Sequence, residues 1–164
     1  MRRRGPVGSL ADSEEKALQI SLRYLTRRSR SEAEVRDRLE EAGASDSIVR
    51  KTLERLRSLN YIDDESFARR WAADRAQNRH YGRKRIEQEL RLKGVAESVA
   101  IQAIRDAFIE ADERENAKGI LIRRYSGQDL RDPRTRRRAA AFLERRGYSA
   151  QIISDLLARD IEED

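Results

Sequence analysis

Basic residues gather at three points of this chain where helices should begin, and cations so placed are suited to gripping phosphate or carboxylate groups. The middle cluster is Arg83-Lys84-Arg85, directly after Gly82. The last cluster is denser: Arg131, Arg134, Arg136, Arg137 and Arg138 crowd one helix start, with Arg145 and Arg146 two turns on. The first cluster, Arg27, Arg28 and Arg30, is the weakest, because Glu32 and Glu34 stand beside it and partly neutralise it. A cation in the first turn of a helix opposes the helix dipole at a cost of about 0.3–1 kcal/mol. The middle and last clusters therefore read as contact surfaces for DNA backbone or an acidic protein. The competing reading is solvated charge whose aliphatic stems cover apolar surface. Helical geometry also forbids all the arginines of the last cluster from sharing one face.

Enzymatic chemistry lacks its parts. His80 is the sole histidine, so neither a His-based triad nor a two-histidine metal site can be built. With no cysteine, disulfides and thiolate-held metals are excluded. The carboxylates Asp63, Asp64 and Glu65 read as helix-start charges that favour the dipole, not as a metal cluster. Phe67 and Trp71, four residues apart, read as core rather than as stacking platforms for bases. No phosphate-cradling Gly-Lys-Ser/Thr motif occurs. The expectation is a protein without catalytic residues, metal or cofactor.

The elements that position these residues recur. Val35-x3-Leu39-x3-Gly43-x4-Ile48 returns as Ile86-x3-Leu90-x3-Gly94-x4-Val99, then as Ala139-x3-Leu143-x3-Gly147-x4-Ile152. The glycines are 51 and 53 residues apart, a period that marks a repeat architecture. Each glycine should stop a helix, because the left-handed conformation just past a helix end costs it no Cβ clash. In the first copy, Ser31-Glu32-Ala33-Glu34 has capping-box spacing and starts the middle helix. Asp46 or Ser45 caps the next, with Val49, Leu53, Leu56 and Leu59 facing inward. In the second copy, Val99, Ile101 and Ile104 mark the closing helix. In the third, a helix from about Glu110 to Tyr125 precedes Asp132-Pro133, an N-cap followed by proline at the first helical position.

The predicted fold is all-α: three tandem three-helix repeats forming an elongated crescent. Its parts are a mobile basic tail at 1–12 and repeats at 13–62, 63–109 and 110–164, with the last few residues, 160–164, frayed. Leu, Ile, Val and Phe make up about a fifth of the chain, too little for one large core, and several thin cores are the natural solution. Charged residues form 40% of the sequence with a net charge of +6, which favours polyanions or acidic surfaces as partners. No apolar run approaches the roughly 20 residues of a membrane helix, and the basic start leads into no apolar stretch. A cytoplasmic monomer without membrane contact is the default expectation.

Two stretches resemble a known family. Leu59-Asn60-Tyr61-Ile62-Asp63-Asp64-Glu65-Ser66-Phe67-Ala68 resembles a signature of RecX, the bacterial regulatory protein of the RecA recombinase. Gly82-Arg83-Lys84-Arg85-Ile86, with Glu89-Leu90-x-x-Lys93-Gly94-Val95, is similar to a second segment of that family. Ala17-Leu18…Leu22…Arg28-Ser29-Arg30-Ser31 is similar to its opening block. Asn60 stands where the signature usually has glycine, and asparagine also tolerates the left-handed conformation. The resemblance implies three-helix repeats, no cofactor, and the RecA–DNA filament as partner, where such proteins restrain ATP hydrolysis, strand exchange and co-protease activity. It implies only weak, non-specific contact with single- or double-stranded DNA. The alternative from residues alone is a stand-alone helical nucleic-acid-binding protein. Against it, the third helices expose Arg50, Lys51 and Arg55 in one repeat but Ala100, Gln102 and Ala103 in the next, an uneven set for reading bases.

Overall fold

The computed structural model describes residues 11–159, and every described element is helical. In chain order these are α1 (Glu14–Leu25), α2 (Glu32–Glu41), α3 (Asp46–Ser58), α4 (Asp64–Gln77), α5 (Arg83–Leu92), α6 (Glu97–Glu110), α7 (Glu113–Tyr125), α8 (Pro133–Arg145) and α9 (Ala150–Arg159). The chain divides into two compact units. The first holds α1 to α3, the start of α4 and the turn at 93–95; the second holds the rest. Residues 1–10 of the predicted tail at 1–12, and the fray at 160–164, lie outside the described residues.

In the first unit, hydroxyls set the helix starts. Ser13 accepts from the Lys16 N–H at 3.3 Å, and Ser45, not Asp46, caps α3. Ser31 and Glu34 form the expected capping box, exchanging bonds of 3.2 and 3.1 Å. Three buried stripes then meet. Ala17 from α1, Val35 and Leu39 from α2, and Val49, Leu53 and Leu56 from α3 form one core with Ile62. Ala11 joins that core fully buried and donates its N–H to the Ala42 carbonyl at 3.3 Å, so the tail expected through residue 12 does not include it. Leu59, expected to face inward, is 52% exposed.

In the second unit α5 packs on α6, and α7, α8 and α9 pack together. Their core is Ala117, Leu121, Ala139, Leu143, Tyr148 and neighbours. The closing helix of the second repeat buries small residues, Ala100, Ala103 and Ala107, with Ile104, whereas Ile101 is 47% exposed. Its apolar face is therefore narrower and closer-packed than the aliphatic residues alone suggested. α6 runs on to Glu110 and α7 starts under an Asp112 cap, three residues later than expected. Asp132 caps α8 through the Thr135 N–H at 2.8 Å, with Pro133 at its first turn as predicted.

The turns behave as their sequence pattern demands. Gly43, Gly94 and Gly147 have φ of 84°, 69° and 89°, and Asn60 takes the same role at 56°. After Gly43, Asn60 and Gly147 the next N–H reaches back into the helix, as Tyr61 does to the Leu56 carbonyl at 2.9 Å. Gly147 is doubly constrained, since a Cβ there would sit 2.4 Å from the Arg85 backbone nitrogen. Gly119, within α7, has nothing within 4 Å of such a Cβ. Urea denaturation should thus separate two identical changes. Gly147→Ala should cost at least about 2 kcal/mol from left-handed strain plus overlap. Gly119→Ala should stabilise by about 0.5–1 kcal/mol through helix propensity.

Candidate functional site

The middle basic cluster sits where two helix ends meet. α5 begins against the last turn of α8: the Gly82 N–H donates to the Arg146 carbonyl at 2.9 Å, and the Lys84 N–H to the Gly147 carbonyl at 3.2 Å. The Arg85 guanidinium adds a bond to the Arg145 carbonyl at 3.1 Å. The donors left open at the start of one helix are thus satisfied by the carbonyls left open at the end of another. The positive pole of α5 faces the negative pole of α8, which offsets the cost that cations at this position would otherwise carry. Only glycine permits the approach at position 82, where a Cβ would lie 2.4 Å from the Gly147 oxygen.

Two of the three cations in this cluster have internal partners. Glu113 receives both the backbone N–H and Nε of Arg83 at 2.9 Å, and the Arg83 guanidinium stacks 4.5 Å from the Phe108 ring centre. Arg85 lies 3.9 Å over Tyr81 and pairs with Glu89 at 3.3 Å. Arg146 covers Tyr81 and Phe142 and donates to the Arg79 carbonyl at 2.9 Å. Glu89 also accepts from Trp71 Nε1 at 3.0 Å and Arg75 Nε at 2.8 Å, while Arg75 stacks on Trp71. These contacts give Arg83, Arg85 and Arg146 a structural role that their sequence neighbourhood did not reveal. Lys84 differs: it is exposed and lines a cavity of about 460 Å³ with Arg136, Ala140, Tyr148 and Leu157.

The first cluster is also engaged. Arg28 pairs with Glu34 at 2.8 Å, and Arg30 reaches the same carboxylate at 3.6 Å while stacking 3.9 Å over Tyr24. Lys93 supplies a third cation to Glu34 at 3.2 Å. Burial alone would push the Glu34 carboxyl up; the Ser31 N–H, Arg28 and Lys93 outweigh it and hold the group below its ordinary value. The hydrogen bond from Arg57 likewise holds Glu32 low against burial. Asp64 runs the other way: burial raises it, although it accepts the Glu32 N–H at 2.8 Å.

The last cluster is the outward one. Arg134, Arg137, Arg138 and Arg145 are exposed; the guanidinium groups of Arg134, Arg138 and Arg145 pair with no carboxylate among the described residues, whereas Arg137 interacts electrostatically with Asp132. At 100° per residue Arg134, Arg138 and Arg145 fall within a 40° sector of α8, forming a stripe about 16 Å long. Arg137 stands to one side of it, Arg136 turns to the cavity, and the Arg131 N–H bonds to Asp129 at 2.8 Å.

His80 is half-buried in a left-handed conformation with φ of 50°. Its Nδ1 lies 3.2 Å from the Asn116 side-chain oxygen, and its carbonyl accepts the Tyr148 hydroxyl at 2.7 Å. Burial raises the Tyr148 hydroxyl far above its ordinary value. Asp63 caps α4 through Ser66 at 3.1 Å. Among the described residues no group of three His, Cys, Asp or Glu side chains is placed to hold a metal ion, and no helix is long and apolar enough to cross a membrane. Sequence reasoning passed over Glu89, Glu113 and Arg75. The Arg85–Glu89 spacing of four was a readable signal, whereas the 30-residue reach from Arg83 to Glu113 was not.

Two segments match models of known domains: residues 17–56 the RecX first three-helix domain, and residues 63–104 the RecX second three-helix domain. The chain is 33% identical over 158 residues to the regulatory protein RecX of Mycobacterium leprae, covering 95% of this chain and 92% of that protein. It is 35% identical over 141 residues to the regulatory protein RecX of Trichlorobacter lovleyi, covering 85% and 92%. A crystal structure of RecX from Lactobacillus salivarius superposes with a TM-score of 0.73 at 23% identity, covering 91% and 97%, a likeness of fold. Another, of a regulatory protein RecX, gives 0.73 at 27% identity over 87% of this chain and 70% of that one.

The depressed carboxylates of the first unit set a pH dependence. A group held low in the folded state stabilises at pH above its unfolded value and loses that contribution as pH falls through the folded one. Urea stability should therefore drop as pH is lowered from the ordinary carboxylate value of 4.5. Glu34→Gln should flatten that drop. A variant whose profile parallels the parent's would show that Glu34 does not contribute to it.

Proposed function

Because the chain belongs to the RecX family of regulatory proteins, we propose that it regulates the RecA–DNA filament by binding it, in the cytoplasm and without catalysis of its own. The observation that carries this reading is the family match across both three-helix domains, joined to an outward cationic stripe with no internal partner. Of the basic residues singled out by sequence, the working set on this reading is Lys84, Arg134, Arg136, Arg137, Arg138 and Arg145. Arg83, Arg85, Arg146, Arg28 and Arg30 shape the surface from within. Arg131 extends the working set at the approach to α8.

Several modest contacts spread over a large partner gain strength from effective concentration, each engaged point raising the chance of the next. A filament that hydrolyses ATP must alternate between states. A protein that binds one state better than the other slows the cycle by the difference in affinity. Restraint of ATP hydrolysis is the expected direction, with strand exchange and co-protease activity following it.

The test is ATP hydrolysis by the cognate RecA on single-stranded DNA with sub-stoichiometric amounts of this protein. Hydrolysis should fall. Reversing Arg134, Arg138 and Arg145 to Glu should raise the half-effective concentration about tenfold or more, as expected for loss of several charge contacts. Hydrolysis unaffected by the parent protein would refute the reading. Tight, sequence-selective DNA binding without RecA would favour a stand-alone nucleic-acid binder instead.

A further inference from the structure

Two helix ends in the second unit carry charge of the wrong sign for their dipoles, and the fold brings them together. α8 opens with Arg134 and Arg136 in its first turn and no acidic residue there. α9 closes at Arg159, and the sequence that follows, Asp160-Ile161-Glu162-Glu163-Asp164, holds four carboxylates in five residues. Cations at a helix start and anions past a helix end each cost about 0.3–1 kcal/mol when left alone. α8 and α9 are joined by residues 146–149 and pack on each other, so they run antiparallel and the end of α9 returns beside the start of α8. Arg136 and Leu157 accordingly line one cavity of about 460 Å³.

That cavity suits an acidic segment with an aliphatic residue in it. Lys84 and Arg136 stand over Ala140, Ile153, Leu157 and the Tyr148 ring, whose hydroxyl is already bonded to the His80 carbonyl at 2.7 Å. Neither Lys84 nor Arg136 has an ion-pair partner among the described residues. Glu144, the one carboxylate in the lining, stands two turns along α8 from Arg136, about 12 Å away by helical rise. Ile153 and Leu157 are four apart, and Ile161 is the next residue in that row. Five residues reach at most about 18 Å, enough to bring their carboxylates to Arg136, Arg137 and Lys84. Nucleic acid would use the cations but leave the aliphatic floor uncovered. An acidic segment of a separate molecule would fit the same chemistry, but it lacks the effective concentration that a tether supplies.

We propose that residues 160–164 fold back onto this cavity, with Ile161 on its apolar floor and the neighbouring carboxylates on Arg136, Arg137 and Lys84. The segment is then a tethered competitor: it covers part of the cationic surface until a stronger anionic partner displaces it. The docking stands by itself, whereas the competition rests on the filament reading above.

Because the chain has no cysteine, disulfide trapping reads the contact directly. The chain carrying Ala140→Cys and Ile161→Cys, oxidised at low protein concentration, should close an intramolecular bond at least about tenfold faster than one carrying Ile161→Cys with Ile101→Cys, an exposed position on α6. Adding Arg136→Gln and Arg137→Gln, or raising salt from about 0.1 M to about 1 M, should slow closure at least about threefold through lost or screened charge. Equal rates for the two pairs, bonding mainly between two molecules, or indifference to both charge removal and salt would each overturn the docking. A second measurement alters no cavity residue. Asp160→Asn, Glu162→Gln, Glu163→Gln and Asp164→Asn together should lower the half-effective concentration in the RecA hydrolysis assay about two- to tenfold, the inverse of the fraction of chains left uncovered. Unchanged potency would overturn the competition. Trapping needs no recombinase, so it decides the docking whether or not the filament reading survives.

Discussion

The carbonyl just before each helix-ending glycine is the point on which the repeats depend. In the first repeat the Ala42 oxygen accepts from the Ala11 N–H at 3.3 Å. After the second, the Lys93 oxygen accepts from the Ser31 hydroxyl at 2.6 Å. After the third, the Arg146 oxygen accepts from the Gly82 N–H at 2.9 Å. Ser31 and Gly82 each stand eight residues before the leucine of their helix, so a start and a stop of the repeat pattern are matched parts. A buried carbonyl without a partner would cost about 1–3 kcal/mol. Thin cores of this size have little stability to spare.

That contact also changes the meaning of the basic residues. Cations at a helix start look misplaced when the helix is considered alone. Beside the last turn of α8, the Lys84 N–H and the Arg85 guanidinium bond to carbonyls at that helix end, whereas Arg83 turns to Glu113. Stacking then spreads the charge through the second unit: Arg85 and Arg146 share Tyr81, and Glu89 gathers Trp71, Arg75 and Arg85. The charge that these internal contacts do not consume stands on the stripe of α8.

Much of the fold was legible because local rules agreed with one another. The Ser31–Glu34 capping box, Asp132-Pro133 and the glycine stops each name their own helix boundary, and Asn60 takes the left-handed turn expected of it. Where reading failed, the deciding neighbour was distant. Ile101 is outward because alanines carry the buried face of α6. The first cationic cluster showed its carboxylates in sequence, whereas the middle and last looked alike there and differ in supply. Glu34 serves the first and Glu113 with Glu89 the second, whereas Arg134, Arg138 and Arg145 of α8 have none among the described residues.

α8 breaks the pattern in one instructive way. The residue that corresponds to Ser31 and Gly82 there is Thr135, eight before Leu143. Its N–H and hydroxyl are already taken by Asp132, at 2.8 and 2.9 Å, and the helix extends a further two residues ahead of it to Pro133. The socket that would receive another repeat's turn is therefore plugged from within. Modules built on an interlocking plan carry an inherent hazard of endless addition, and this side chain closes one such socket.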